Sequence, residues 1–350
     1  MPGHDVPFSR ASQTDDLIDS EGADHMQAAP WPKPILFTAR LGPNFLWHML
    51  AVARIGYNSE YVDRYADSIN GRHLELLRRN AARLTFGGGE MGDLAQIVTM
   101  FPAWLHLESR ADFERYFLTL DRCLQEGSFR AFLEAFPAAD WTDKFYAELP
   151  ARTLPTADRE YRLLVAEVAA VYLESIEAYE SRVWPKARRE MAPRILELNE
   201  HFAAKDYIWA WEDTLGLSFQ TPTYEIVICH SNKNGPDYNS LGYGGNLFFY
   251  DKPFVRTCQF VSHEIGTHLL ADSMLEVSRN ERSDKTGIYG CFEVLAMFWN
   301  GKILGIESLD YDLARYDDVA LLDFYECEYR AGITDPTELL RRAGERLGGG

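Results

Sequence analysis

Apolar residues along the chain recur first at three- and four-residue spacings and later at every second position, and this change of period divides the sequence. From about Pro32 to Lys205 the spacing is helical, as in "LGPNFLWHMLAVARIGY", "HLELLRRNAARL" and "ADFERYFLTLDRCLQEG". The stretch "DREYRLLVAEVAAVYLESIEAYESRVW" continues as a long amphipathic segment, which Pro185 is expected to interrupt before "KARREMAPRILELNEHFAAK". Beyond it, "DYIWAWEDTLGLSF" and "TYEIVICH" alternate and are rich in β-branched and aromatic residues, so both read as strands. A loop of Asn, Gly and Tyr leads to a further strand, "NLFFYD", and after Pro253 the helical period returns to the end of the chain. The pattern predicts an α+β chain: a polar arm at 1–31, a helical region at 32–205, and a region at 206–350 in which helices cover a small antiparallel sheet.

Charge narrows the classes of partner. Acidic side chains outnumber basic ones 53 to 35, a formal charge of −18, and binding to nucleic acid or to anionic membrane requires the opposite balance. Five scattered cysteines, Cys123, Cys229, Cys258, Cys291 and Cys327, form no CxxC pair and suit reduced thiols in a cytoplasmic protein. No apolar run is long enough for a membrane span, and the first thirty residues lack the basic start and apolar stretch of a secretory signal. The oligomeric state is not legible.

Candidate chemistry sits in "CQFVSHEIGTHLLADSML", where His263 and Glu264 are adjacent and His268 follows after three further residues. In the common HExxH motif the two histidines lie one helical turn apart and point at one ion. Here, at about 100° per residue, His268 lies roughly 140° around an ideal helix from His263. A regular helix therefore cannot bring both rings to one metal, whereas one residue absorbed in a π-type turn restores the shared face. Gly266 lies inside the insertion, where a missing Cβ eases such a distortion. On the next predicted helix, Glu293 stands in the apolar run "GCFEVLAMFW". A carboxylate so placed binds a cation, pairs with an arginine, or lies on a partly exposed face. Two histidines and a glutamate make the ligand set of thermolysin-type zinc sites, in which an adjacent carboxylate such as Glu264 takes a proton from water.

At "HEIGTHLL" (263–270) and "FEVLA" (292–296) the sequence resembles the tyrosine-carboxypeptidase family of HExxxH zinc metallopeptidases, which includes the microtubule-associated tyrosine carboxypeptidases and bacterial relatives with a Gln-Glu-Gly-Leu-Ala signature. Glu293, Leu295 and Ala296 match that signature, while Phe292 and Val294 stand where the family has Gln and Gly. Dipeptidyl peptidase III shares the HExxxH spacing on a far longer chain. The resemblance implies a gluzincin-like catalytic region over 206–350, zinc held by His263, His268 and Glu293, and Glu264 as catalytic base. The expected reaction is hydrolysis of a peptide or amide bond, with a peptide or protein as substrate, or a small amide. A non-catalytic, metal-stabilised interaction protein is the competing class.

Remaining candidates are weaker. The loop at 230–246 offers His230, Tyr238 and Tyr243, and "NLFFYD" could be an edge strand for an extended peptide. Tyr289, Tyr329 and Arg330 are possible donors to an oxyanion. His48, His73, His106 and His201 have no ligand-like spacing and read as core or surface residues.

Overall fold

A computed structural model describes residues 32–56, 61–87, 90–141, 158–231, 238–280, 285–306 and 318–348. The expected arm at 1–31 lies outside them.

The main sheet is built from β1 (Ile35–Thr38), β2 (Tyr224–Cys229), β3 (Tyr238–Ser240) and β4 (Gly245–Phe249) in the order β1-β2-β4-β3, and a separate antiparallel pair joins Phe86–Gly87 to Glu90–Met91. The expectation of an antiparallel sheet is corrected: β1 pairs parallel with β2, β2 parallel with β4, and only the β3–β4 pair is antiparallel. The reason lies in burial. Residues Ile226–Cys229 form an unbroken apolar run because both faces of β2 are covered, the usual condition of parallel strands. β1 falls inside the stretch read as helical, and it enters the sheet beside β2 with Ile35 opposite Tyr224.

Main helices are α1 (Leu41–Ala53), α2 (Arg110–Glu126), α3 (Arg159–Ala178), α4 (Trp184–Ala203), α5 (Tyr207–Leu215), α6 (Phe254–Asn280), α7 (Lys285–Leu304), α8 (Asp318–Arg330) and α9 (Pro336–Gly348). Two sequence expectations change here. Pro185 does not end the long helix. A π-type turn at Tyr179–Val183 joins α3 to α4, and a wider turn accommodates a ring that would otherwise meet the carbonyl four residues back. The run "DYIWAWEDTL" is helix α5, not a strand. Asp206 caps it by accepting from the Trp209 amide, Gly216 ends it with φ 65°, and Tyr207, Ile208 and Trp211 form its buried stripe.

The sheet separates two cores. Val227, Cys229 and Leu247 on one face join a core built from α1, α2 and α3. Ile35, Phe37, Tyr224, Ile226, Ile228 and Phe248 on the other join a core built from α4 to α9. The single rod α3–α4 runs through both, with Tyr172 and Tyr179 in the first and Ala187, Met191 and Leu198 in the second. Among the described residues no helix is long and apolar enough to cross a membrane.

Candidate functional site

Helix α6 carries the HExxxH motif and is wedged between the sheet, α5 and α7. Its placement is fixed by close packing. A Cβ built on Gly266 would stand 2.2 Å from the Trp211 ring, and Trp211 is fully buried and donates its indole N–H to Ser262 Oγ at 3.0 Å. Gly266 thus serves the contact between α5 and α6. The expected π-type turn at the insertion is corrected, since α6 is α-helical throughout this stretch.

On an unbroken helix His263 and His268 face different neighbours, and the structure places them so. Nε2 of His263 lies 3.2 Å from Oε2 of Glu293 on α7. The same seam is pinned further along by Asn300 Nδ2, which donates to the Gln259 carbonyl at 2.8 Å, and α8 braces α7 where Tyr325 donates to the Cys291 carbonyl at 2.9 Å. His268 lies on the sheet side, with Nε2 3.5 Å from Ser240 Oγ. Its ring stacks near Phe219 (6.1 Å between centroids) and meets the rings of Tyr224 at 5.5 Å and Tyr243 at 6.3 Å edge-on. Glu264 also faces the sheet, and its Oε2 accepts from Asn246 Nδ2 on β4 at 3.1 Å.

Electrostatics distinguish the three groups. Burial pushes Glu264 up to about 7; His263 and the Asn246 amide oppose this, and the charge of Glu293 adds to it. Burial also pushes the His263 imidazole down, but the hydrogen bond it donates to Glu293 and the charges of Glu293 and Glu264 outweigh it, leaving the ring above its ordinary value. His268 is lowered to about 4 by burial, with the Tyr243 backbone acting against the shift.

The donors fit a metal in part. Two ligands of one tetrahedral zinc ion, each bonded at about 2.0–2.2 Å, lie about 3.3–3.6 Å apart, close to the 3.2 Å between His263 and Glu293. His268 is turned to other partners, and among the described residues no three His, Cys, Asp or Glu side chains form a group able to hold a metal ion.

Other candidates separate clearly. Tyr289 is about half exposed, Tyr329 packs on Phe298 and Trp299, and Arg330 pairs with Glu326 at 2.8 Å. The strand "NLFFYD" is interior rather than an edge, because β3 covers its free side. Residues 232–237 of the loop lie outside the described residues. His230 meets Glu190 at 2.7 Å, and His48 is fully buried between Tyr61 (2.5 Å) and Ser68 (2.9 Å). Asn246 and Tyr224 are site residues that sequence reading missed. Asn246 left a signal: with Phe248 it forms one alternate row of "NLFFYD", where an apolar residue is expected. All five cysteines are free thiols, four of them buried. Compared with protein-family models, curated proteins and solved structures, the chain matches none of them.

Proposed function

We propose that the chain is a zinc-dependent hydrolase of peptide or amide bonds, with a gluzincin-like catalytic region over residues 206–350. His263, Glu293 and His268 would hold the metal, and Glu264 would be the general base. One observation carries this reading: His263 and Glu293 arrive from two helices as a 3.2 Å pair, with Glu264 following His263 directly on α6. Two carboxylates and one imidazole in a largely buried place are groups that a divalent cation would attract. A zinc ion held there would supply Lewis-acid polarisation of the scissile carbonyl.

The chain's own residues would manage the proton. Glu264 takes it from the attacking water and returns it to the departing amine, and Asn246 keeps one of its oxygens fixed meanwhile. For His268 to join the other donors, α6 must wind more widely between 263 and 268. Turns of that kind already occur in this fold at Gln96–Met100 and Tyr179–Val183. The free thiols support a cytoplasmic setting.

Glu264→Gln tests the reading, with bound zinc measured alongside turnover of a peptide library. The expected result is retained zinc with turnover reduced by about 10²–10⁴-fold. Unchanged turnover, or a wild-type chain that folds and takes up no zinc, refutes it.

A further inference from the structure

The face of the sheet that meets α6 is mostly apolar near the motif; its polar positions are Tyr224, Asn246 and, on β3, Ser240, which meets His268. Ile35 and Phe37 on β1, Ile226 and Ile228 on β2 and Phe248 on β4 pack into the second core. Tyr224 and Asn246 stand in the same rows, and both are 0% exposed. A buried amide or hydroxyl in such a row weakens the core unless its hydrogen bonds are made.

Asn246 makes them. Its Nδ2 donates to Glu264 Oε2 at 3.1 Å, and its Oδ1 accepts from the Leu247 amide at 2.8 Å. Tyr224 makes none of normal geometry: its hydroxyl is buried and is approached only loosely, by the Asn246 side chain. The neighbours that bear on that hydroxyl are the Glu264 carboxylate and the Asn246 amide. Its ring is fully used, meeting Phe219 at 5.4 Å and His268 at 5.5 Å edge-on. A phenylalanine would preserve both ring contacts without the poorly bonded oxygen. The hydroxyl therefore adds little to the packing of the chain, and the amide nearest to it, that of Asn246, is the one that holds the carboxylate proposed to do the chemistry.

We propose that Tyr224 and Asn246 are positioning residues for Glu264. The Asn246 amide fixes Oε2 as an acceptor, which leaves Oε1 to face the reacting water. The Tyr224 hydroxyl is a second donor that turns onto the carboxylate in the working site and steadies it while the proton is transferred. This inference rests on the hydrolase reading and supplies the two side chains that aim its base.

The test compares Tyr224→Phe, Asn246→Leu and Glu264→Gln in the full-length chain. It follows zinc uptake, KM and kcat on a library peptide that the wild type cleaves, and the thermal midpoint of the metal-free protein. Tyr224→Phe is expected to take up zinc normally, keep KM, lose about 10-fold in kcat, and melt at the same temperature or higher. Asn246→Leu is expected to lose about 10- to 100-fold in kcat with KM unchanged. A lower melting temperature for Tyr224→Phe would make the hydroxyl a structural group and overturn the proposal. So would unchanged kcat in both variants while Glu264→Gln is inactive, an outcome that leaves the hydrolase reading standing. Full turnover by Glu264→Gln removes that reading, and the positioning roles with it.

Discussion

Among the described residues two buried histidines, His230 and His263, each meet a glutamate, and the two pairs are built differently. His230, just past the end of β2, meets Glu190 at 2.7 Å, under a stacked Tyr250 ring at 4.9 Å. Glu190 is also approached by Arg64 at 3.4 Å and Lys186 at 3.8 Å. Burial works to raise that carboxylate, but His230, Arg64 and Lys186 together hold it below its ordinary value. The pair is a closed account of charge. His263 and Glu293 are further apart, at 3.2 Å, and the group beside them is a second carboxylate, Glu264, driven up to about 7. The lesson is that a histidine–glutamate contact says little alone. Its meaning depends on whether the next charge completes the balance or upsets it.

That contrast can be broken by experiment. The largest effect is expected from His263→Ala, which should weaken zinc binding about a thousandfold or more, while His230→Ala leaves zinc uptake intact; isothermal titration with zinc separates the two. Next is acid sensitivity on the His230 side. His48 is fully buried and lowered to about 3 by burial and by the nearby His230. A histidine with a depressed folded value binds fewer protons in the native state than in the unfolded chain. Its contribution is present above about 6.5 and is lost as the pH falls toward about 3, a change on the order of several kcal/mol. Urea unfolding at stepped pH should show that slope in the wild type and a shallower one in His48→Gln.

Smaller effects test the scaffold. His230→Ala is expected to destabilise by about 1–3 kcal/mol, because Glu190 loses its buried partner but keeps some access to water. Gly266→Ala should cost about 1–3 kcal/mol through overlap with Trp211, read as a lower midpoint in denaturant. Arg64→Ala, removing a half-exposed partner of Glu190, should change stability by less than about 1 kcal/mol. An Arg64 effect as large as that of His230 would mean that the closed pair depends on its outer cation far more than the geometry implies.

Much of the helical content was legible, because stripes such as those of α2 and α3 follow a simple period and carry caps at Ser109 and Asp158. The second-strand region was legible as strand but not as parallel, since the direction of a pair depends on which distant segment lies alongside. In this fold that segment is Ile35–Thr38, nearly two hundred residues earlier. α5 was misread because Trp and Tyr favour strands on average, while its identity is set by Asp206 and Gly216 at its ends. At the motif, the sequence named His263, Glu264, His268 and Glu293 and foresaw that a regular helix would part the histidines. It assigned Gly266 to helix distortion, whereas the tertiary contact with Trp211 accounts for that residue. Tyr224 could not have been singled out, because one tyrosine at the head of a strand looks like any other until its oxygen is found buried without a well-formed hydrogen bond.

The continuous rod from Arg159 to Ala203 makes the two halves of this chain inseparable. Cutting after residue 205 would strip the C-terminal fragment of β1 and α4, baring Ile226, Ile228 and the inner side of α6 to water. Such a fragment is expected to be insoluble on expression. Co-producing it with residues 32–205 should recover a folded particle only if the missing strand and rod can dock from outside.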